Sequence, residues 1–218
     1  MLYVWLRLII AILICGTLII LNIKFSAPQK RLRRNILCII LGIVVYLVFI
    51  FVPIEDIAVK FESPIDAFEY QVGEDNIVKV VEGEESAVIV YLNDNNGPGY
   101  YITKKSDDGW MLENSFDSFI HGVVQVFKNK AIKAGNVFTC FSERAPGTNE
   151  CFIFVSEEFM EEKVEYSESA VKDSQGSTFE QFPIHINNYT LVVHYAVVQS
   201  NDPDYEVIIN GERVKIEI

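Results

Sequence analysis

The chain has 218 residues, of which 50% are hydrophobic and 22% are charged, and its thirty acidic residues outnumber eighteen lysines and arginines to give a net charge of −12. Such a field disfavours binding to nucleic acid and to anionic lipid or polymer surfaces, and it attracts cations and basic partners. All thirty acidic residues follow Ile54, so the first 54 residues carry positive charge alone.

Two apolar runs occupy the first quarter of the chain. Residues 1–23 and 36–54 are each long enough to cross a hydrocarbon core, which takes about 20 helical residues. Arg7 is the one charged residue in the first run, and it lies near an end, where a long side chain can extend toward the headgroups. A cleaved signal peptide fits poorly, because no basic residue precedes the run and no small-residue cleavage site closes it. We therefore expect a two-helix transmembrane hairpin in the lipid bilayer.

A short basic segment, residues 24–35, separates the two apolar runs. Short loops with an excess of lysine and arginine stay in the cytoplasm. The segment therefore predicts a cell-membrane protein that crosses the bilayer twice and has both termini on the extracytoplasmic side. The residues that determine this topology are Lys30, Arg31, Arg33 and Arg34.

The rest of the chain predicts a mainly β, antiparallel extracytoplasmic region, arranged as a meander or a sandwich, with one or two short helices. Its first module, residues 55–114, opens with Ser63-Pro64-Ile65-Asp66, which is typical of a capped helix start, and the helix is expected from Pro64 to Tyr70. Runs rich in valine, isoleucine and tyrosine alternate with short glycine-containing turns, so consecutive strands should pair. The expected strands are 76–82, 86–92, 100–105 and 110–113.

The second module, residues 115–218, has many short strand patterns and is compatible with an immunoglobulin-like sandwich, although the Cys, Trp, Cys arrangement of antibody domains is missing. Ser156–Glu162 is expected to form one turn of helix. Asn210-Gly211 predicts a two-residue hairpin turn that places Glu206 opposite Lys215 as an ion pair. The expected strands are 122–128, 137–142, 151–155, 163–168, 182–186, 189–199 and 205–218.

Two cysteines of the second module predict a disulfide. Cys140 and Cys151 lie symmetrically about Ala145-Pro146, between two strand-like runs. Directly opposed residues of a hairpin lie within disulfide range, so we expect a bridge in an oxidising compartment. Two free thiols on neighbouring strands are the alternative.

Catalytic and metal-binding signatures are missing from the sequence, so we expect no cofactor. His185 and His194 each lie between apolar strand residues and lack ligand spacing, which is typical of ordinary strand histidines. The alternative is an extracytoplasmic hydrolase or metal-dependent enzyme, with a site at these histidines completed by Asp202 or Asp204.

Aromatic residues give the remaining hint of recognition. Tyr100, Tyr101 and Trp110 are candidates for an exposed contact patch, because aromatic side chains dominate binding hot spots. The sequence thus favours a non-catalytic binding, sensing or envelope-assembly module that serves a protein partner in or outside the membrane.

Overall fold

The computed structural model describes residues 2–25, 28–51, 59–73, 76–112, 137–160, 164–199, 202–216 and 218. These residues form three helices and eleven strands. The helices are α1 (Leu2–Phe25), α2 (Pro28–Phe51) and α3 (Pro64–Gln71). The strands are β1 (Asn76–Glu82), β2 (Ser86–Leu92), β3 (Pro98–Ser106), β4 (Gly109–Trp110), β5 (Val137–Arg144), β6 (Glu150–Phe159), β7 (Val171–Asp173), β8 (Glu180–Ile186), β9 (Tyr189–Gln199), β10 (Glu206–Ile209) and β11 (Glu212–Lys215). The strand expected at 122–128 lies outside the described residues.

Helices α1 and α2 pack against each other as an antiparallel pair. Asn22 Nδ2 donates to Asn35 Oδ1 at 2.5 Å, and Gly42 lies so close to Cys15 that a Cβ at position 42 would approach Cys15 Cβ to 3.0 Å. Small residues allow such close approach between two helices. Within the described residues one stretch, Arg7–Lys24, is long and apolar enough to cross a membrane, as an anchor or as a signal sequence.

Residues 28–35 of the basic segment are helical, whereas the sequence predicted a loop over 24–35. Helix α2 begins at Pro28, because proline fits the first helical position and the glutamine, lysine, arginines and leucine that follow are good helix formers. The four basic residues that were assigned to the connection lie in the first two turns of α2 as a result. They are Lys30, Arg31, Arg33 and Arg34.

Helix α3 has the capped start that its sequence predicts. The backbone N–H of Asp66 donates to Ser63 Oγ at 3.1 Å, while the backbone N–H of Ser63 donates to Asp66 Oδ2 at 3.0 Å. This reciprocal pair satisfies two N–H groups that a helix start leaves without partners. The helix buries Ala67 and Phe68 against the first sheet.

Sheet 1 is an antiparallel meander with the strand order β1-β2-β3-β4, as the sequence predicts. Strand β2 lies at its centre and is buried on both faces, which explains its uninterrupted apolar run Ala87–Val90. The turns β1–β2 and β3–β4 lie at one end of the sheet, and the β2–β3 turn lies at the other.

Sheets 2 and 3 contain the remaining strands. Sheet 2 has the order β5-β6-β9-β8 and sheet 3 has the order β11-β10-β7, with every pair antiparallel. Strand β6 continues to Phe159, so the helical turn predicted at Ser156–Glu162 is wrong over its described part. Residues 164–170 form no strand, although a strand was expected at 163–168.

Sheets 2 and 3 face each other as a seven-stranded sandwich. Counted from β5 as strand 1, the order is 1-2-5-4 in sheet 2 and 7-6-3 in sheet 3. This is the strand order of the constant-type immunoglobulin sandwich. The chain adds sheet 1 on the outer face of sheet 2.

Two main hydrophobic clusters hold these layers together. Val88 and Val90 of sheet 1 pack with Phe152 and Phe154 of sheet 2, so the first cluster draws residues from both predicted modules. The second cluster fills the space between sheets 2 and 3. Its members include Cys140, Ile153, Val155, Val207 and Ile209. Sheet 2 is therefore apolar on both faces, and the layers follow the order α3, sheet 1, sheet 2, sheet 3.

Candidate functional site

A polar cleft of about 420 Å³ lies where three hairpin turns meet. The β1–β2 and β3–β4 turns of sheet 1 form two of its sides, and the β5–β6 turn of sheet 2 forms the third. Its lining residues are Glu84, Glu85, Lys104, Lys105, Ser106, Asp107 and Gly147. Turns carried on a rigid sheet are a common place for binding residues. We call this region the turn-end cleft.

Two lysines of β3 are held in place at the turn-end cleft. Lys104 Nζ donates to the carbonyl oxygen of Gly147 at 2.9 Å, which joins the two sheets across the cleft. Lys105 Nζ lies 5.9 Å from the centre of the Trp110 ring, within the range of a cation–π contact. The cleft therefore presents two positive groups, of which Lys104 is held by a hydrogen bond, beside the three exposed carboxylates of Glu84, Glu85 and Asp107.

A buried carboxylate fixes the β1–β2 turn beneath this cleft. Glu150 is 2% exposed, and its Oε1 accepts hydrogen bonds from the backbone N–H groups of Glu84 at 2.5 Å and Glu85 at 3.2 Å. Its Oε2 accepts from Ser86 Oγ at 2.5 Å. A buried carboxylate is tolerated because several donors replace its hydration. Sequence analysis missed Glu150; the signal was an acid placed directly before the apolar run Cys151–Val155.

Of the aromatic residues that the sequence assigned to an exposed contact patch, Tyr101 and Trp110 are buried and Tyr100 is partly buried, so they do not form an exposed patch. Tyr101 is 1% exposed and packs edge-on against Phe68 of α3, while Tyr100 points to the opposite side of β3 and contacts Phe141 of sheet 2. Trp110 is 7% exposed. Burial between the sheets raises the pKa of Tyr100 above its ordinary value.

Cys140 and Cys151 are both free and buried, and no disulfide joins them. The reason is the hairpin register: Cys140 lies opposite Val155, and Cys151 lies opposite Arg144. The two cysteines share a face of sheet 2 but are four residues apart along the strands, which is about 13 Å. Symmetry about Ala145-Pro146 was the wrong premise, because the turn is centred farther along the chain.

His185 and His194 do not converge on a common site. His194 lies opposite Gln181, whereas His185 lies opposite Thr190, so four residues of strand β8 separate their positions. The His185 ring is about half exposed, with Nδ1 3.2 Å from Thr190 Oγ1. Asp204 pairs with Lys215 instead, at 2.7 Å. Among the described residues, no group of three histidine, cysteine or acidic side chains is arranged to hold a metal ion.

His194 belongs to a largely buried polar cluster that the sequence did not reveal, in which Gln181 is the exposed member. Gln181 on β8 lies directly opposite His194 on β9, and Glu157 on β6 lies diagonally across from it on the same face. Ser167 covers these side chains: its N–H donates to Gln181 Oε1 at 2.8 Å and its Oγ donates to Glu157 Oε2. Glu157, Ser167 and His194 are 2%, 6% and 4% exposed.

No family model, curated protein or solved structure matches this chain. Its function must therefore be inferred from its own residues and their arrangement. The described residues offer two polar arrangements, the open turn-end cleft and the largely buried cluster around His194. An open cleft suits a ligand or partner, whereas a largely buried cluster suits control of the fold.

Proposed function

We propose that this chain is a membrane-anchored, non-catalytic binding module that displays an acidic β-rich domain on the outer face of the cell membrane. In this proposal α1 and α2 both cross the bilayer, and both termini are extracytoplasmic. The basic start of α2 supports the orientation, since positive charges near membrane helix ends remain on the cytoplasmic side. The close packing of α1 on α2 supports a hairpin anchor.

The turn-end cleft is the observation that carries the binding role. It lies at the end of sheet 1 where the β1–β2 and β3–β4 turns meet the β5–β6 turn, and contacts between the two sheets hold the Lys104 side chain and the backbone of the β1–β2 turn. Held side chains lose less conformational freedom when a partner binds, so more of the contact energy appears as affinity. The mixture of lysines and carboxylates suits a polar protein partner in the membrane or envelope, in a sensing, assembly or accessory role.

Site-specific photocrosslinking in native membranes tests this proposal. A photoreactive phenylalanine analogue replaces Lys105 in the cleft or, as the matched control, Asp94 in the exposed turn at the opposite end of sheet 1. We expect a discrete crosslinked product from position 105 that position 94 does not give, and that disappears when Lys104 is changed to Glu. Identical products from both positions, or no product from position 105, would refute the binding role of the cleft.

A further inference from the structure

We infer that His194 is an acid-sensitive latch, whose protonation releases residues 164–170 from sheet 2. This inference goes beyond the proposed binding function and does not depend on the cleft. It concerns a different face of sheet 2 from the one that packs on sheet 1. Residues 164–170 are called the strap below.

Specific hydrogen bonds tie the strap to sheet 2 at its middle and to the β10–β11 turn at its end. At its middle, Ser167 binds Gln181 through both backbone groups, with the N–H donating at 2.8 Å and the carbonyl accepting at 3.4 Å. At its end, the N–H of Ala170 donates to Asn210 Oδ1 at 2.9 Å, and Asn210 N–H donates back to the carbonyl of Ala170 at 2.9 Å. The strap leads directly into β7, the edge strand of sheet 3.

His194 lies on β9, between the two strands whose side chains bind the centre of this strap. Its two neighbours on the sheet face, Gln181 and Glu157, are the side chains that hold Ser167. The ring is 4% exposed, and its Nε2 has no hydrogen-bond partner in the described part of the chain. A neutral imidazole tolerates an unpaired acceptor nitrogen at modest cost, but an imidazolium carries an N–H at both nitrogens and a full charge. Burying such a cation with one N–H unpaired is much less favourable.

Charged groups around the ring do not offset this cost. Glu157 on β6 is the acid that faces His194, and it raises the histidine pKa, yet burial has the larger effect and the pKa of His194 lies below its ordinary value of 6.5. Glu165 on the strap lies beside His185 at 3.9 Å, and Glu168 is exposed. On β8, the residue opposite His194 is the uncharged Gln181.

The sign of the effect follows from the direction of this pKa. The pKa of His194 is lower in the folded state than in the unfolded state, so its contribution to stability is complete above pH 6.5. That contribution is lost as the pH falls from 6.5 through the pKa of the folded state. The strap is held by a few hydrogen bonds and no strand pairing, so it should open before the sheets do. Asp173 on β7 also titrates, but its pKa is lowered below 3.8 by hydrogen bonds from Ser177 and Tyr205 against the effect of burial, so its contribution is lost at more acid pH.

Hydrogen–deuterium exchange of the full-length protein in lipid nanodiscs, between pH 4.5 and 7.5, tests the latch. After correction for intrinsic exchange rates, we expect the strap and β7 to lose protection below pH 6.5, while β2 keeps its protection. His194→Gln should remove this dependence on pH. His185→Gln changes the exposed histidine of the neighbouring strand and its 3.9 Å contact with Glu165 of the strap, and the loss of protection below pH 6.5 should persist in this variant. If the protection of the strap depends on pH in the same way in the wild type and in His194→Gln, the inference is wrong.

Nuclear magnetic resonance titration of the wild-type imidazole provides a readout that does not require the variant to fold. We expect His194 to titrate below pH 6.5 and His185 to titrate separately. A measured pKa of His194 at or above 6.5 would show that the fold does not disfavour the charged ring. That result alone would overturn the inference.

Discussion

The Glu150 carboxylate of sheet 2 accepts a hydrogen bond from Ser86 Oγ of sheet 1 at 2.5 Å. Both side chains are buried, and the same carboxylate binds the backbone of the β1–β2 turn through Glu84 and Glu85. The pair connects two parts of the chain that the sequence divides into separate modules. It also fixes one side of the turn-end cleft, so the same bonds stabilise the fold and shape the proposed binding surface.

Glu150→Gln should destabilise the protein by about 1–3 kcal/mol, because an amide NH₂ would replace one acceptor oxygen among N–H and O–H donors. Chemical denaturation measures this change. Glu84→Gln is the matched control: the Glu84 side chain is exposed and only its backbone N–H binds Glu150, so we expect almost no change. Equal stability of the two variants would contradict the role given to Glu150.

Gly83→Ala should destabilise the protein through a steric conflict at the same carboxylate. A Cβ at position 83 would lie 2.5 Å from Glu150 Oε1, and overpacking of this kind costs about 1–3 kcal/mol. In a Glu150→Ser background the shorter side chain leaves room, so the added cost of Gly83→Ala should largely disappear. If Gly83→Ala lowers the stability equally in the wild type and in Glu150→Ser, the steric conflict does not involve Glu150.

Cys140 and Cys151 should react as two free, protected thiols. Burial raises the pKa of each to about 12, so little thiolate is present at pH 8 and access is poor. We expect slow alkylation of the folded protein and fast alkylation of both residues in denaturant. Mass spectrometry without reductant that finds peptides joined through Cys140 and Cys151 would contradict the hairpin register.

Gly42→Leu should separate helices α1 and α2, because even the Cβ of a side chain at position 42 would lie 3.0 Å from Cys15 Cβ. Gly16→Leu is the control, since nothing lies within 4 Å of a Cβ placed at position 16. Disulfide trapping between Asn22→Cys and Asn35→Cys reports the pairing. We expect a strong decrease in yield for Gly42→Leu and little change for Gly16→Leu; equal yields would contradict the helix packing.

Local sequence signals predicted the elements whose structure depends on local contacts. The Ser63-Pro64-Ile65-Asp66 start of α3 carries its own capping hydrogen bonds. The Asn210-Gly211 turn needs positive φ at both positions and has φ values of 52° and 90°. The turn fixes the β10–β11 register, so Glu206 lies opposite Lys215 as predicted. The ion pairs differ: Glu206 binds Arg213 and Lys215 binds Asp204, each at 2.7 Å.

Features that depend on tertiary packing could not be read from the sequence. The β5–β6 turn was misplaced because Ala145 pairs with Glu150, and the four residues between them close the turn, with Gly147 at a φ of 70°. Tyr100 and Tyr101 looked available for contacts, yet sheet 2 covers one and α3 covers the other. Glu150 and His194 gained their roles only when distant strands came together.

The orientation of the domain is the central claim, and labelling with a membrane-impermeant maleimide tests it most directly. Tyr166→Cys places a thiol at a residue that is 64% exposed, and Arg33→Cys places one at an exposed residue near the start of α2. The two buried cysteines of sheet 2 should stay unlabelled in the folded protein. In intact cells we expect label at position 166 alone, with position 33 labelled only after permeabilisation. Label at position 33 in intact cells, with position 166 protected until permeabilisation, would contradict the account.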